Sequence, residues 1–258
     1  MQVYAIDENR LVSAINADKG VNYECPECRA HVRLRRGKER QPHFFHLQKS
    51  SKCRLSQKGI IHLHLQNFVK SLFGAAEIES RFPEIGRIAD VADFQSKRVF
   101  EIQYSPMDLD EAKGRCQDYE SLGFQVIWIL HDHTFNQSKI TPTERFLRTK
   151  TCYFSNMDEK GQGCIYDQLE EVKGKRRLSK SDPYWVNLAV LNKLPRSKLP
   201  EELFHRSQTW PLYSEGDLID LSLKGKFIPI KLRKIRMISR LKEAYLTWLH
   251  INLSKSCR

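Results

Sequence analysis

The sequence predicts an α/β protein built on a core of order α-β-β-β-α-β, preceded by a small Cys- and His-rich module and followed by a mostly helical region. Three observations carry this expectation. Ile60, Ile61, Leu63, Phe68, Val69, Leu72 and Phe73 recur at three- and four-residue spacing and stop at Gly74, the pattern of an amphipathic helix. Three short runs follow, EIESRF (77–82), RIADVADF (87–94) and RVFEIQY (98–104), separated by turn-forming residues at 83–86 and 95–97. After a polar-faced helix at roughly 108–122, closed by Gly123, QVIWIL (125–130) is an apolar run of the kind found in a strand buried on both faces.

The flanking regions follow from their own composition. Residues 1–22 alternate apolar and polar side chains, which predicts a hairpin or two edge strands with a turn near Asp7-Glu8-Asn9. From Cys25 to Cys53 the chain is rich in Cys, His, Arg and Lys and too short to bury a core, so something must staple it. KGKRRLSKSDP (173–183) is charged and aperiodic and reads as a linker. Short helices are expected over 184–223, and a basic amphipathic helix from about residue 231. The expected units are 1–55, 56–135 and 136–258.

Charge and cysteine usage narrow the partners. Lys and Arg outnumber Asp and Glu by 43 to 31, a net charge of +12, which favours a polyanion, nucleic acid before membrane. There is no run of about eighteen apolar residues, and the opening segment carries Asp7, Glu8 and Asp18, so a cytoplasmic protein without membrane insertion is expected. Seven cysteines, two of them in one Cys-x-x-Cys, point to metal ligation in a reduced compartment over a disulfide framework.

The acids of the strands carry the chemistry. Glu101 and Gln103 share a face by alternation, and Asp90 on the preceding strand lies within reach of Glu101. Two close carboxylates repel unless a proton or cation sits between them, and Mg²⁺ or Mn²⁺ suits an oxygen ligand set. Such an ion would support phosphodiester hydrolysis. Glu79 on the first strand extends the set, Asp93 is a fallback ligand, and His62 and Gln66 lie one turn apart on the first helix. Arg115 and Tyr119, also four apart, would face a scissile phosphate from the second helix.

Cys25-x2-Cys28, His43-x2-His46 and Cys53 offer five candidate ligands for a structural Zn²⁺. The expected set is Cys25, Cys28, His46 and Cys53, with His43 as substitute for His46. Arg35 and Arg36 within this module, and Lys231, Arg233, Lys234 and Arg236 in the last helix, are candidates for sequence-independent contacts to DNA phosphates.

The element order, with Asp90 on the second strand and Glu101-Ile102-Gln103 on the third, resembles the PD-(D/E)xK, restriction-endonuclease-like nuclease superfamily. CPEC…HFFH (25–46), His62, RIADV, EIQYS and YESLGFQVIWIL, taken together, look like the CoiA family of competence proteins over residues 1–135. The resemblance implies action on incoming DNA in natural transformation and recombination, on single-stranded or branched DNA, with a recombinase as candidate partner. It implies that Asp90 and Glu101 bind the metal. Gln103 stands where many superfamily members have lysine, and Ala89 where the signature has proline, so the implied alternative is a non-catalytic DNA-binding recombination factor that keeps the nuclease fold.

Overall fold

The structure, a computed structural model, describes residues 2–37, 42–48, 53, 55, 58–195, 199, 203, 206 and 209–226. The chain opens with five short strands, β1 (Tyr4–Asp7), β2 (Arg10–Ser13), β3 (Asn22–Glu24), β4 (His31–Arg35) and β5 (His43–His46), in the order β2-β1-β3-β4-β5. Each neighbouring pair is antiparallel. Glu8 and Asn9, both with positive φ, form the two-residue loop between β1 and β2, because a primed turn matches the right-handed twist of its strands. Ala5, Tyr23, Val32, Leu34 and Phe44 line a small apolar cluster under this sheet, joined by Cys25, Cys53 and Leu55.

The second sheet follows the expected order. Helix α1 (Ile60–Ser71) leads into β6 (Ala76–Phe82), β7 (Arg87–Asp93) and β8 (Arg98–Gln103), then α2 (Leu109–Ser121) and β9 (Gln125–His131). Strands β6, β7 and β8 are antiparallel neighbours, and β9 lies parallel to β8. Helix α2 starts where Asp108 accepts the amide of Asp110, an N-cap with Asp110 and Glu111 favourably placed in the first turn. Trp128, Ile127, Ile129 and Leu130 of β9 are completely buried, as an apolar run flanked on both sides requires. Phe100 of β8 is equally buried and packs on Phe73 with ring centroids 5.1 Å apart.

Past residue 135 the expectation of a mostly helical region is corrected for the described residues. After α3 (Pro142–Leu147), β10 (Cys152–Ser155) pairs parallel to β9, and β11 (Ile165–Asp167) and β14 (Tyr184–Trp185) complete a seven-stranded sheet of order β14-β11-β10-β9-β8-β7-β6. The expected linker at 173–183 is largely a hairpin, β12 (Glu170–Lys173) with β13 (Arg176–Lys180), turning at Gly174 with φ +60°. A second hairpin joins β15 (Asn187–Lys193) to β16 (Leu212–Glu215), followed by α4 (Leu218–Leu223). The reason is electrostatic: Arg177, 8% exposed, turns inward to Glu144 (2.5 Å) and Glu170 (2.7 Å), while Leu178 faces out. The predicted helix from residue 231 lies outside the described residues.

Phe100 packs β8 against Phe73, just past the end of α1, so Phe100→Ala should cost about 3–5 kcal/mol, read as a lowered urea midpoint with little change in slope.

Candidate functional site

Three acids fall in one row across three strands. In the β6–β7 ladder, Ile78 pairs with Val91 and Ser80 with Ala89, which sets Glu79 opposite Asp90. In the β7–β8 ladder, Val91 pairs with Phe100, so Asp90 comes next opposite Glu101. Both ladders fail at this row. Glu79 adopts φ +55°, a left-handed conformation uncommon outside glycine, and drops out of the β6 pairing. Pairing of β7 with β8 ends at Val91, and beyond it the Asp90 side chain takes over: its Oδ2 accepts the Ile102 amide at 2.8 Å.

The sheet therefore opens at Asp90, and α1 reaches into the gap. His62 Nε2 lies 2.9 Å from Asp90 Oδ1; a carboxylate only accepts, so this nitrogen carries the proton. Gln66, one turn on, donates to the Asp90 backbone carbonyl (3.1 Å) and to Oδ1 (3.3 Å). From the segment before α1, Lys58 Nζ stands 2.8 Å from Asp90 Oδ1 and 3.4 Å from Glu79 Oε1. Burial works against the charge on Asp90, but His62 and then Lys58 outweigh it and hold its carboxyl far below the usual range.

Glu101, 1% exposed, is held differently. Its Oε2 accepts Arg115 Nη1 at 2.6 Å, and Arg115 is steadied by Glu111 at 2.8 Å, one helical turn earlier. Burial raises its pKa; Arg115 opposes and the Asp90 charge reinforces this, leaving a net upward shift. Glu101 Oε1, Glu79 Oε2 and Gln66 Oε1 are buried oxygens with no hydrogen-bond partner among the described residues. Orphaned acceptors of this kind cost free energy and are relieved by a cation, and an all-oxygen set fits a hard divalent ion. Glu79 also lines a cleft of about 370 Å³ between the N-terminal sheet and β6, with Tyr4, Leu55, Glu77 and Arg81.

The remaining candidates separate. Gln103 is half-buried and donates to its neighbour's carbonyl, Ser105 O, at 2.6 Å. Asp93 closes the β7–β8 turn through the Gln95 amide and the Ser96 hydroxyl, away from the acid row. Tyr119 is completely buried beside Glu101, so the expected contact with a phosphate is corrected to a packing position. Its hydroxyl is pushed up by burial first and by the Glu101 charge next. Arg115 serves Glu101 in place of an external anion. Arg36 is tied to the carbonyls of Ala14 (2.9 Å), Ile15 and Ala17 (3.2 Å), a fastening inside the module, whereas Arg35 is exposed over the Phe45 ring. Lys231, Arg233, Lys234 and Arg236 lie outside the described residues. Sequence reasoning missed Lys58. Its signal was slight, a lysine four residues before His62 in a stretch without periodicity.

The second site lies in the N-terminal module. Cys25, Cys28, His46 and Cys53 bring one donor atom each to within 4.8 Å of one another. The Cys25–Cys53 sulfurs are 3.7 Å apart and Cys28 Sγ is 3.3 Å from His46 Nε2. A tetrahedral site with Zn–S near 2.3 Å and Zn–N near 2.1 Å has ligand–ligand edges of about 3.6–3.8 Å, within a few tenths of an ångström of these two spacings, so the cluster could bind zinc. His43, three residues from His46 on the same strand, points to the other face and is not in the cluster. Glu27 clamps the far side of the loop, its Oε2 accepting from Cys53 Sγ (3.3 Å) and the Leu55 amide (3.1 Å).

The strands and helices carrying the acid row make up a nuclease-like domain: residues 61–176 match the family model described as "Competence protein CoiA, nuclease-like domain". Residues 7–56, with the Cys/His cluster, match "Competence protein CoiA, N-terminal domain", and the chain belongs to the CoiA family of competence proteins. No curated protein and no solved structure matches it. No helix among the described residues is long and apolar enough to cross a membrane.

Breaking the Glu101–Arg115 pair leaves a buried carboxylate unpaired, so Arg115→Ala should destabilise the fold by about 3–5 kcal/mol. Adding Glu101→Gln should recover most of that loss in a double-mutant cycle. An unpaired Glu101 keeps its proton more strongly folded than unfolded, so the Arg115→Ala deficit should grow as pH rises above the normal glutamate range, measured by denaturation across pH.

Proposed function

We propose that this protein is a metal-dependent DNA nuclease of natural transformation and recombination, working on incoming DNA in the cytoplasm. The observation that carries this reading is the buried row of Glu79, Asp90 and Glu101, with oxygens of Glu79, Glu101 and Gln66 left unpartnered. Asp90 and Glu101 would hold Mg²⁺ or Mn²⁺, with Glu79 completing the set. A bound divalent ion supplies Lewis-acid polarisation of a phosphodiester. The chain's own groups set the geometry: His62 and Gln66 aim Asp90, Arg115 orients Glu101, and Gln103 is the neutral side chain nearest the end of β8 that could orient water or phosphate. The excess of basic residues supplies the backbone grip on DNA.

A second reading is a non-catalytic DNA-binding factor that assists a recombinase. One observation favours it: the residue in the signature lysine position is Gln103, whose amide is already spent on Ser105 O. We take Zn²⁺ as the structural ion of the Cys25, Cys28, His46 and Cys53 cluster, worth on the order of 10 kcal/mol to a module with so small a core.

Purified protein with Mg²⁺ or Mn²⁺ should cleave single-stranded, double-stranded or branched DNA, and both Glu101→Ala and EDTA should abolish cleavage. Intact DNA binding with no cleavage on any of the three substrates would establish the second reading. Elemental analysis should find about one zinc per chain, and Cys28→Ser should lose it and open the N-terminal module to protease.

A further inference from the structure

Among the described residues, the Cys/His cluster is the one group of three or more metal-ligating side chains whose donor atoms converge; Glu79, Asp90 and Glu101 share a row without doing so. A carboxylate offers about four lone-pair positions. At Asp90, Oδ1 receives His62 (2.9 Å), Lys58 (2.8 Å) and Gln66 (3.3 Å), and Oδ2 receives the Ile102 amide (2.8 Å). Asp90 is saturated, while one oxygen each of Glu79, Glu101 and Gln66 is buried without a partner among the described residues.

Of the four donors on Asp90, three are fixed by secondary structure. His62 and Gln66 are buried on successive turns of α1, and the Ile102 amide belongs to β8. Lys58 precedes the N-cap residue Gly59 and reaches in on four rotatable bonds. It is also the donor that bridges two of the acids, Asp90 and Glu79, where like charges directly opposite each other would otherwise repel.

We propose that Lys58 is a tethered competitor for the divalent ion: its ammonium fills the cation position between Glu79 and Asp90, and a metal binds the acid row only by displacing it. The inference rests on the metal-site reading and adds to it a residue that sets metal affinity. The displacement is an exchange of one cation for another and needs no covalent step. The released ammonium then stands beside whatever anion the metal draws in, a position Gln103 cannot fill because it carries no charge.

The test is Mn²⁺ binding to the full-length, zinc-replete protein without DNA, by calorimetry and by loss of the free-ion paramagnetic resonance signal. Lys58→Met should bind Mn²⁺ about ten-fold or more tightly than the parent, since a unit charge near 3 Å from the ligand oxygens is removed. Lys58→Arg, which keeps the charge, should stay near the parent, and adding Asp90→Asn to Lys58→Met should abolish the gain. If Lys58→Met melts below the assay temperature, Lys58→Gln carries the same expectation. Equal or weaker Mn²⁺ binding in the charge-removed variant overturns the competitor role while leaving the metal site standing. Absence of Asp90-dependent Mn²⁺ binding in every variant overturns both.

Discussion

The candidate site depends on a local failure of β-pairing. A central strand ordinarily spends its amides on its neighbours, and an acid in such a strand would point into a packed layer. Here β7 and β8 part after Val91 and Phe100, and the Ile102 amide is satisfied by the Asp90 carboxylate instead of a backbone carbonyl. This substitution keeps the sheet free of an orphaned donor while turning a carboxylate inward. On the other side of Asp90, the left-handed Glu79 releases β6 from the ladder at the same level. His62 and Gln66 reach the strand from α1 at this same level.

Once acids are buried, their charges have to be met from within the chain. Asp90 is kept ionised by His62 and Lys58, Glu101 is only partly compensated by Arg115, and the two carboxyls shift in opposite directions as a result. The far half of the sheet uses ion pairs for a different end. Asp167 is completely buried between Arg206 and Arg148, and Arg177 joins Glu144 to Glu170, although Glu144 keeps one buried oxygen without a hydrogen-bond partner among the described residues.

The α-β-β-β-α-β order was legible because each element announced itself by period: three- and four-residue recurrence in α1, alternation in β6 to β8, and an unbroken apolar run in β9. The four residues of the N-terminal module whose donor atoms lie together were named from the sequence, with His46 preferred to His43. What failed was any region where charge replaces hydrophobicity as the buried component. In β13 the inward residue is Arg177 and the outward one Leu178, the reverse of the pattern that alternation detects. Strands such as β10 and β11 run only four and three residues, too short for periodicity to speak. Lys58 escaped for a related reason, since its role depends on a long side chain folding back onto a sheet distant in sequence. Tyr119 escaped because helical spacing places it beside Arg115 but cannot tell a buried ring from an exposed one.

Cys53 and Lys58 are five residues apart, and one belongs to the Cys/His cluster while the other sits on the acid row. A chain of that length spans at most about 18 Å even when fully drawn out. Glu27 pins the start of this tether through Cys53 and Leu55, and α1 begins immediately after its end. The two centres thus lie on one short stretch of chain, and an ion held by the first module would also limit how far the ammonium at the second can travel.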